Sequence, residues 1–237
     1  MTASSEPSQA AVRLQQVQRR IHTATLRCGR DPASVALLAV SKLQPAQSIR
    51  DLYAAGQRSF GENYVQEAVG KCAELADLRD VEWHLIGPLQ SNKSRDVAET
   101  MHWVHSVDRL KIAERLSAQR PQAMPRLNVC IQVNISGEAS KSGCAPGEAI
   151  SLVQAASLLP QLRVRGLMGM PGPGIGDVAT RRQFTMLASL FAEAKRTVAG
   201  LDTLSIGMSD DLEIAVSCGS TMVRVGTALF GARPSRA

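Results

Sequence analysis

The sequence predicts an α/β protein: a single (β/α)8 barrel of the TIM type with an extra helix at its N-terminus. Eight short apolar runs alternate with helical patterns along most of the 237 residues. Parallel neighbours need crossover connections, so this alternation means a parallel sheet. Eight such units in about 200 residues favour closure into a barrel over an open doubly wound sheet.

The elements follow in order. Ala10, Leu14, Val17, Ile21, Ala24 and Cys28 recur at spacings of three and four. They form one apolar stripe on an otherwise polar helix, which Gly29 and Pro32 stop. Strands are expected at 35–40, 81–86, 103–107, 127–135, 162–168, 204–206 and 221–225, with a weaker one at 58–61. Between them lie helical patterns such as 109–119, 148–158 and 181–198. No linker-like stretch splits the chain. Residues 1–237 therefore read as one domain, with an N-terminal helix over 1–30, the barrel over 31–231 and a tail over 232–237.

Composition narrows the function. Hydrophobic residues make up 44% and aromatic ones only 3%, so the core is aliphatic. The net charge of +6 points to an anionic partner. The 27 Lys and Arg residues are scattered without interleaved rings, which argues against a stacking platform for nucleic acid and for a small phosphorylated ligand. Five widely spaced cysteines without a C-x-x-C read as reduced thiols. Arg13, Arg19 and Arg20 interrupt any apolar leader, and no run approaches the roughly 18 apolar residues of a membrane span. The expectation is a soluble, cytoplasmic protein that binds neither nucleic acid nor membrane.

In such barrels the functional groups lie at the C-terminal ends of the strands. Ser41-Lys42-Leu43-Gln44-Pro45 follows the first strand, so Lys42 stands at the rim. Alone it is as well read as a solvated end-charge; the alternative is a desolvated amine able to form an imine. Gly207-Met208-Ser209-Asp210-Asp211 follows the seventh strand and Gly226-Thr227-Ala228 the eighth, where this architecture usually holds phosphate. Ser209 could equally be a plain helix cap. In a closed barrel strand eight lies beside strand one, within a cofactor's length of Lys42. A lysine near a phosphate site suits pyridoxal 5′-phosphate, with its aldehyde at one end and its phosphate at the other. Arg224, if it faces the ring, would hydrogen-bond the pyridine nitrogen and weaken the ring as an electron sink.

Several blocks are specific enough to name a family. Ala39-Val40-Ser41-Lys42, Phe60-Gly61-Glu62-Asn63-Tyr64-Val65-Gln66-Glu67 and His84-Leu85-Ile86-Gly87-Pro88-Leu89-Gln90-Ser91-Asn92-Lys93 resemble the pyridoxal phosphate homeostasis protein family. So do Val133-Asn134-Ile135-Ser136 with Lys141-Ser142-Gly143, and the segments 204–211 and 219–231. The resemblance implies an alanine-racemase-like barrel and a Schiff base of pyridoxal 5′-phosphate on Lys42. It implies Ser209, Gly226 and Thr227 around the phosphate and Arg224 at the pyridine nitrogen. Asn63 and His84, ending strands two and three, are expected to line the pocket, and Lys141 to be a second lysine near it, a transient acceptor in loading or release. The implied role is intracellular cofactor homeostasis, as a carrier or buffer with apo-enzymes as recipients. Where the family often has Ser-Lys-Thr-Lys-Pro, Leu43 and Gln44 stand here, so one nearby positive charge is missing.

Alanine racemase adds a β-rich domain that supplies an opposing tyrosine across a dimer. The chain ends soon after its eighth strand and has two tyrosines, Tyr53 and Tyr64, so efficient racemisation is not expected. A monomer is expected. The rival reading is an enzyme using the same linkage on amino acids, a weak racemase or decarboxylase. A Schiff-base aldolase without the cofactor is more distant. Gly207-Met208-Ser209 fails as a hydrolase elbow because all four histidines precede Ser209. Gly174-Ile175-Gly176-Asp177-Val178-Ala179 lies too far from its strand for a dinucleotide site. His102 and His105 point to opposite faces of a strand, so no metal site is expected.

Overall fold

In the computed structural model, residues 7–138 and 141–231 are described; the expected tail at 232–237 lies outside them. The helix α1 (Gln9–Arg27) comes first, its N-terminus capped by Ser8, whose hydroxyl accepts the Ala11 N–H at 3.2 Å. Eight strand–helix units follow: β1 (Ala36–Val40), α2 (Ala46–Ala54), β2 (Ser59–Glu62), α3 (Val65–Glu74), β3 (Glu82–Leu85), α4 (Ser94–Thr100), β4 (Trp103–Val107) and α5 (Leu110–Gln119). The second half is β5 (Leu127–Gln132), α6 (Ala149–Ser157), β6 (Leu162–Met168), α7 (Gly176–Thr197), β7 (Thr203–Ser205), α8 (Leu212–Ser217), β8 (Met222–Val225) and α9 (Thr227–Phe230). The strands pair in parallel in chain order, and β8 pairs with β1 in the register Leu38–Arg224 and Ala39–Val225. The barrel is closed.

The predicted strands all form, with two instructive shifts. The run expected to continue to 135 ends as a strand at Gln132, opposite Met168 at the end of β6. Val133 N–H still donates to Met168 O at 2.9 Å, but past that bond Val133 makes a single bridge to Cys144 in its own returning loop. Helix α7 starts at Gly176, ahead of the expected 181. Its first turn carries Asp177 and the 87% exposed Val178, so no buried stripe marks it in the sequence.

Two cores result. Helices pack on the outside of the barrel through an aliphatic layer, where Leu14, Val17, Ile21 and Ala24 of α1 are all buried. The inside is different: a small cluster of Trp103, Cys130 and Met168, surrounded by buried polar side chains. Helix α1 covers the β8–β1 side, packing on α8, α9 and α2. Its charges reach over: Arg20 Nη2 donates to Ser209 O at 2.8 Å while its Nε pairs with Glu213. Beyond the helix, Arg30 donates to the Val216 and Ser220 carbonyls. No helix among the described residues is long and apolar enough to cross a membrane.

β6 bends at Gly166, where its register against β5 shifts. A Cβ there would sit 1.8 Å from Thr203 O, backbone that cannot yield. Gly166→Ala is expected to cost about 3 kcal/mol or more, measured as a lowered urea midpoint at unchanged slope.

Candidate functional site

A cavity of about 870 Å³ opens at the C-terminal ends of the strands. It brings together Lys42 after β1, Asn63 after β2, Ser209 after β7, Arg224 in β8, and Gly226 and Thr227 at the start of α9. Lys141 and the glycine-rich 170–176 loop border the same space. A smaller cavity of about 410 Å³ lies elsewhere, between α1 and the start of β1, and holds none of the expected site residues.

Lys42 is half-buried in a turn that is fixed from behind. Leu43 next to it adopts φ 60°, a left-handed conformation unusual for a branched side chain. Its N–H donates to Glu67 Oε1 at 2.6 Å, and the Gln44 N–H closes the turn on Ser41 O at 3.0 Å. The anchor is a buried ion cluster. Lys71 Nζ donates to Glu62 Oε1 at 2.8 Å, Glu67 Oε1 at 2.7 Å and Ser41 O at 2.7 Å, while Ser41 Oγ donates to Glu62 at 2.6 Å. Burial pushes the Glu62 carboxyl up, and the Lys71 charge pulls it back. None of this was anticipated: Lys71 sits on the buried face of α3, where the apolar pattern gives no hint of a charge.

On the β7–β8 side the backbone comes close. A Cβ on Gly226 would meet Val40 O at 3.3 Å, so only the bare backbone lines this wall easily. The acids flanking Ser209 do not both face the cavity freely: Asp211 Oδ1 accepts the Met208 N–H at 2.5 Å. Asn63 is half-buried, and its Oδ1 has no hydrogen-bond partner among the described residues. An unsatisfied buried acceptor beside an open cavity is what a site built for a polar ligand leaves behind.

His84 is the exception among the expected residues. It does not line the cavity but lies fully buried in the barrel axis, stacked on Trp103 at 5.2 Å and 9°. β3 runs one residue further, and Ile86-Gly87-Pro88 take the rim position instead. Its Nδ1 is 3.0 Å from His105 Nε2, and His105 Nδ1 is 3.0 Å from Ser205 Oγ across the barrel. Arg224 is 3% exposed; it donates from Nη1 to Ser205 Oγ at 2.8 Å and O at 2.6 Å, and from Nη2 to Gly169 O at 3.0 Å. Burial pushes the Arg224 guanidinium down to about 10, which leaves it cationic at neutral pH. Period-two reading of the strands was the available signal: His84, His105, Ser205 and Arg224 all occupy inward positions. Gln132 and Asn134, which also line the cavity, were missed for the same reason.

Two predictions follow from these buried groups. Removing Lys71 strands two carboxylates, so Lys71→Met should lose about 3 kcal/mol in urea denaturation. Burial lowers the pKa of His84, which faces Glu82 and His102, and takes that of His105, which faces His84 and Arg224, well below the usual value. Below the unfolded pKa of about 6.5 the unfolded chain then binds more protons than the folded one. Stability is therefore present above that pH and falls as pH drops, by up to about 1.4 kcal/mol per pH unit for each histidine. Denaturation of His105→Gln across the same range should show a shallower slope.

Comparison with known proteins identifies the fold and the family. The family model described as "Alanine racemase, N-terminal domain" matches residues 12–234. A "Pyridoxal phosphate homeostasis protein" of Pseudomonas aeruginosa is 58% identical over 226 residues, covering 95% of this chain and 96% of that protein. The structure of PipY from Synechococcus elongatus with PLP bound superposes with a TM-score of 0.82 at 40% identity, covering 94% of this chain and 100% of that one. Alanine racemase from Streptomyces coelicolor shares the fold at a TM-score of 0.74 and 22% identity, with 94% of this chain covering 59% of that one.

Proposed function

The chain belongs to the pyridoxal phosphate homeostasis protein family, built on the alanine racemase N-terminal domain, and from that premise we propose that it binds pyridoxal 5′-phosphate as a carrier and buffer of the cofactor. Residues 1–237 act as one cofactor-binding domain, and the protein works as a cytoplasmic monomer. The observation that carries the reading is the single cavity around which an amine, Lys42, and a buried cation, Arg224, meet the Ser209 and Gly226–Thr227 loops.

The residues fit the group. Lys42 takes the aldehyde in a reversible Schiff base. Ser209, Thr227 and the bare backbone at Gly226 take the phosphate, and the partnerless Asn63 Oδ1 gains a polar neighbour. Arg224 donates to the pyridine nitrogen. When bound, the cofactor supplies an aldehyde and an electron-withdrawing ring. A guanidinium donates a hydrogen bond to that nitrogen but is too weak an acid to transfer its proton, so the ring stays unprotonated, withdraws electrons weakly and carbanions gain little.

The rest of the cavity supports holding over turnover. Tyr53 donates its hydroxyl to Asp80 on the outer surface, and Tyr64 is 53% exposed; neither lines the cavity. A racemase needs an acid and a base on opposite faces of the substrate, and no tyrosine stands here to be one of them. Release to apo-enzymes completes the role, with Lys141 at the rim as a transient acceptor.

The test is the visible spectrum of purified protein with added pyridoxal 5′-phosphate, before and after borohydride. Wild type should turn yellow and keep the cofactor covalently after reduction, on Lys42 by peptide mapping, whereas Lys42→Ala should keep none. The holoprotein should then reactivate an apo-enzyme faster than it turns over amino acids. A protein that takes up no cofactor, or a Lys42→Ala variant still labelled on reduction, overturns the site; rapid amino-acid turnover overturns the carrier role.

A further inference from the structure

The inside of the barrel holds a continuous row of polar groups that the cofactor site does not itself use. Starting from Arg224 it runs through Ser205 of β7, His105 of β4 and His84 of β3, each link at 3.0 Å or less. Beyond His84, its Nε2 lies 3.8 Å from Glu82 Oε2, which is half-exposed. β4 and β7 are not sheet neighbours, so the row crosses the barrel interior and joins the buried end of the cavity to the region of Glu82 at the start of β3.

The chemistry of the ends gives the row a direction. A guanidinium only donates, so Ser205 Oγ accepts there and sends its own proton to His105 Nδ1. His105 then carries its proton on Nε2 and donates to His84 Nδ1. His84 is left with its proton on Nε2, facing the Glu82 carboxylate. The opposite assignment would strand the Ser205 proton and turn a bare nitrogen lone pair toward Glu82; here the Nε2 proton has no hydrogen-bond partner among the described residues but faces that carboxylate, a favourable contact of charge and dipole. The tautomers are thus assigned by the network. In this order every dipole presents its negative end to Arg224 and its positive end to Glu82. Both imidazoles must be neutral, as their burial also favours.

We propose that Ser205, His105 and His84 are positioning residues, a one-way hydrogen-bond chain that keeps Arg224 aimed at the pyridine nitrogen of the cofactor. The chain rests on the cofactor reading given above. Ser205 is its critical link, because it accepts from Arg224 twice, through the hydroxyl and the carbonyl. The carbonyl contact survives any side-chain change, so removal of the hydroxyl loosens the guanidinium without releasing it. Trp103 seals the row, stacked on His84 and covered by Arg165 at 4.6 Å, so that water does not substitute for a missing link.

The experiment uses cofactor-loaded wild type, Ser205→Ala, His105→Leu and the double variant. Release of pyridoxal 5′-phosphate on dilution is followed by loss of the visible band, and the unfolding midpoint of each cofactor-free protein is measured alongside. Ser205→Ala, which loses a charged-group hydrogen bond behind Arg224, should speed release about tenfold and shift the visible band, and His105→Leu, which leaves the Ser205 hydroxyl unanchored, should do both in the same direction. Because both variants cut one chain, the double variant should release no faster than the faster single one. Wild-type release and spectrum in both single variants overturn the chain while leaving the cofactor site intact. Multiplying effects in the double variant also overturn it, since independent packing defects would add. Wild type that takes up no cofactor overturns the site and the chain together.

Discussion

Closure of β8 onto β1 is the constraint on which the rest depends. With Leu38 opposite Arg224 and Ala39 opposite Val225, the residues that follow the two strands leave the barrel side by side. Lys42 is 186 positions from Ala228, yet one ladder of main-chain bonds sets them at the same rim. No local preference could do this. The parallel sheet must run through all eight strands and return on itself, and the crossover helices must all lie outside. α1 reinforces the seam, since its Arg20 grips the Ser209 carbonyl from outside the barrel.

A barrel interior filled with aliphatic layers would have been the more stable choice. Here the axis instead holds two histidines, a serine and an arginine, all desolvated. Burying a cation costs several kcal/mol unless it is well hydrogen-bonded, and Arg224 meets that cost with two carbonyls and a hydroxyl. The Lys71 cluster repeats the pattern under the Lys42 turn, where one ammonium donates to two carboxylates and a carbonyl. In both places buried polar groups stand behind the residue that faces the cavity. Their effect is orientation: a left-handed Leu43 or a fixed guanidinium plane persists only when its surroundings over-determine it.

How much of this the sequence reveals depends on which physics wrote each feature. The barrel is legible because apolar runs and helical stripes repeat often enough to count. That Lys42, Ser209, Gly226 and Thr227 reach the cavity is legible because strand ends are where such barrels work, Arg224 because it is a charge inside an apolar run, and Asn63 only through the family resemblance. His84 was placed one layer too high, since a histidine near a strand end looks the same whether it faces the cavity or the axis. The end of β5 and the start of α7 escaped because each is decided by a partner distant in sequence, β6 for one and solvent for the other. Lys71 escaped for a deeper reason. A buried lysine on an amphipathic helix contradicts the pattern that reveals the helix, and only the fold brings Glu62 and Glu67 to it.

The proposed carrier would have to hold its cargo against dilution and give it up on demand, and the arrangement of side chains around the cavity suits that need. In the proposed role, Lys42, Arg224 and the Ser209 and Thr227 loops would hold different parts of one small molecule from different strands, so that no single contact would carry the whole affinity. Their rigidity is graded. Arg224 is locked within the barrel and the Lys42 turn is clamped from beneath, whereas Thr227 and Lys141 are exposed at the rim. With the cofactor bound as proposed, a competing amine would have access from the open side while the buried end of the site stays in place. Exchange of one imine for another needs no water and no net change in bonding. The same architecture that withholds acid–base partners from a bound amino acid leaves that exchange open.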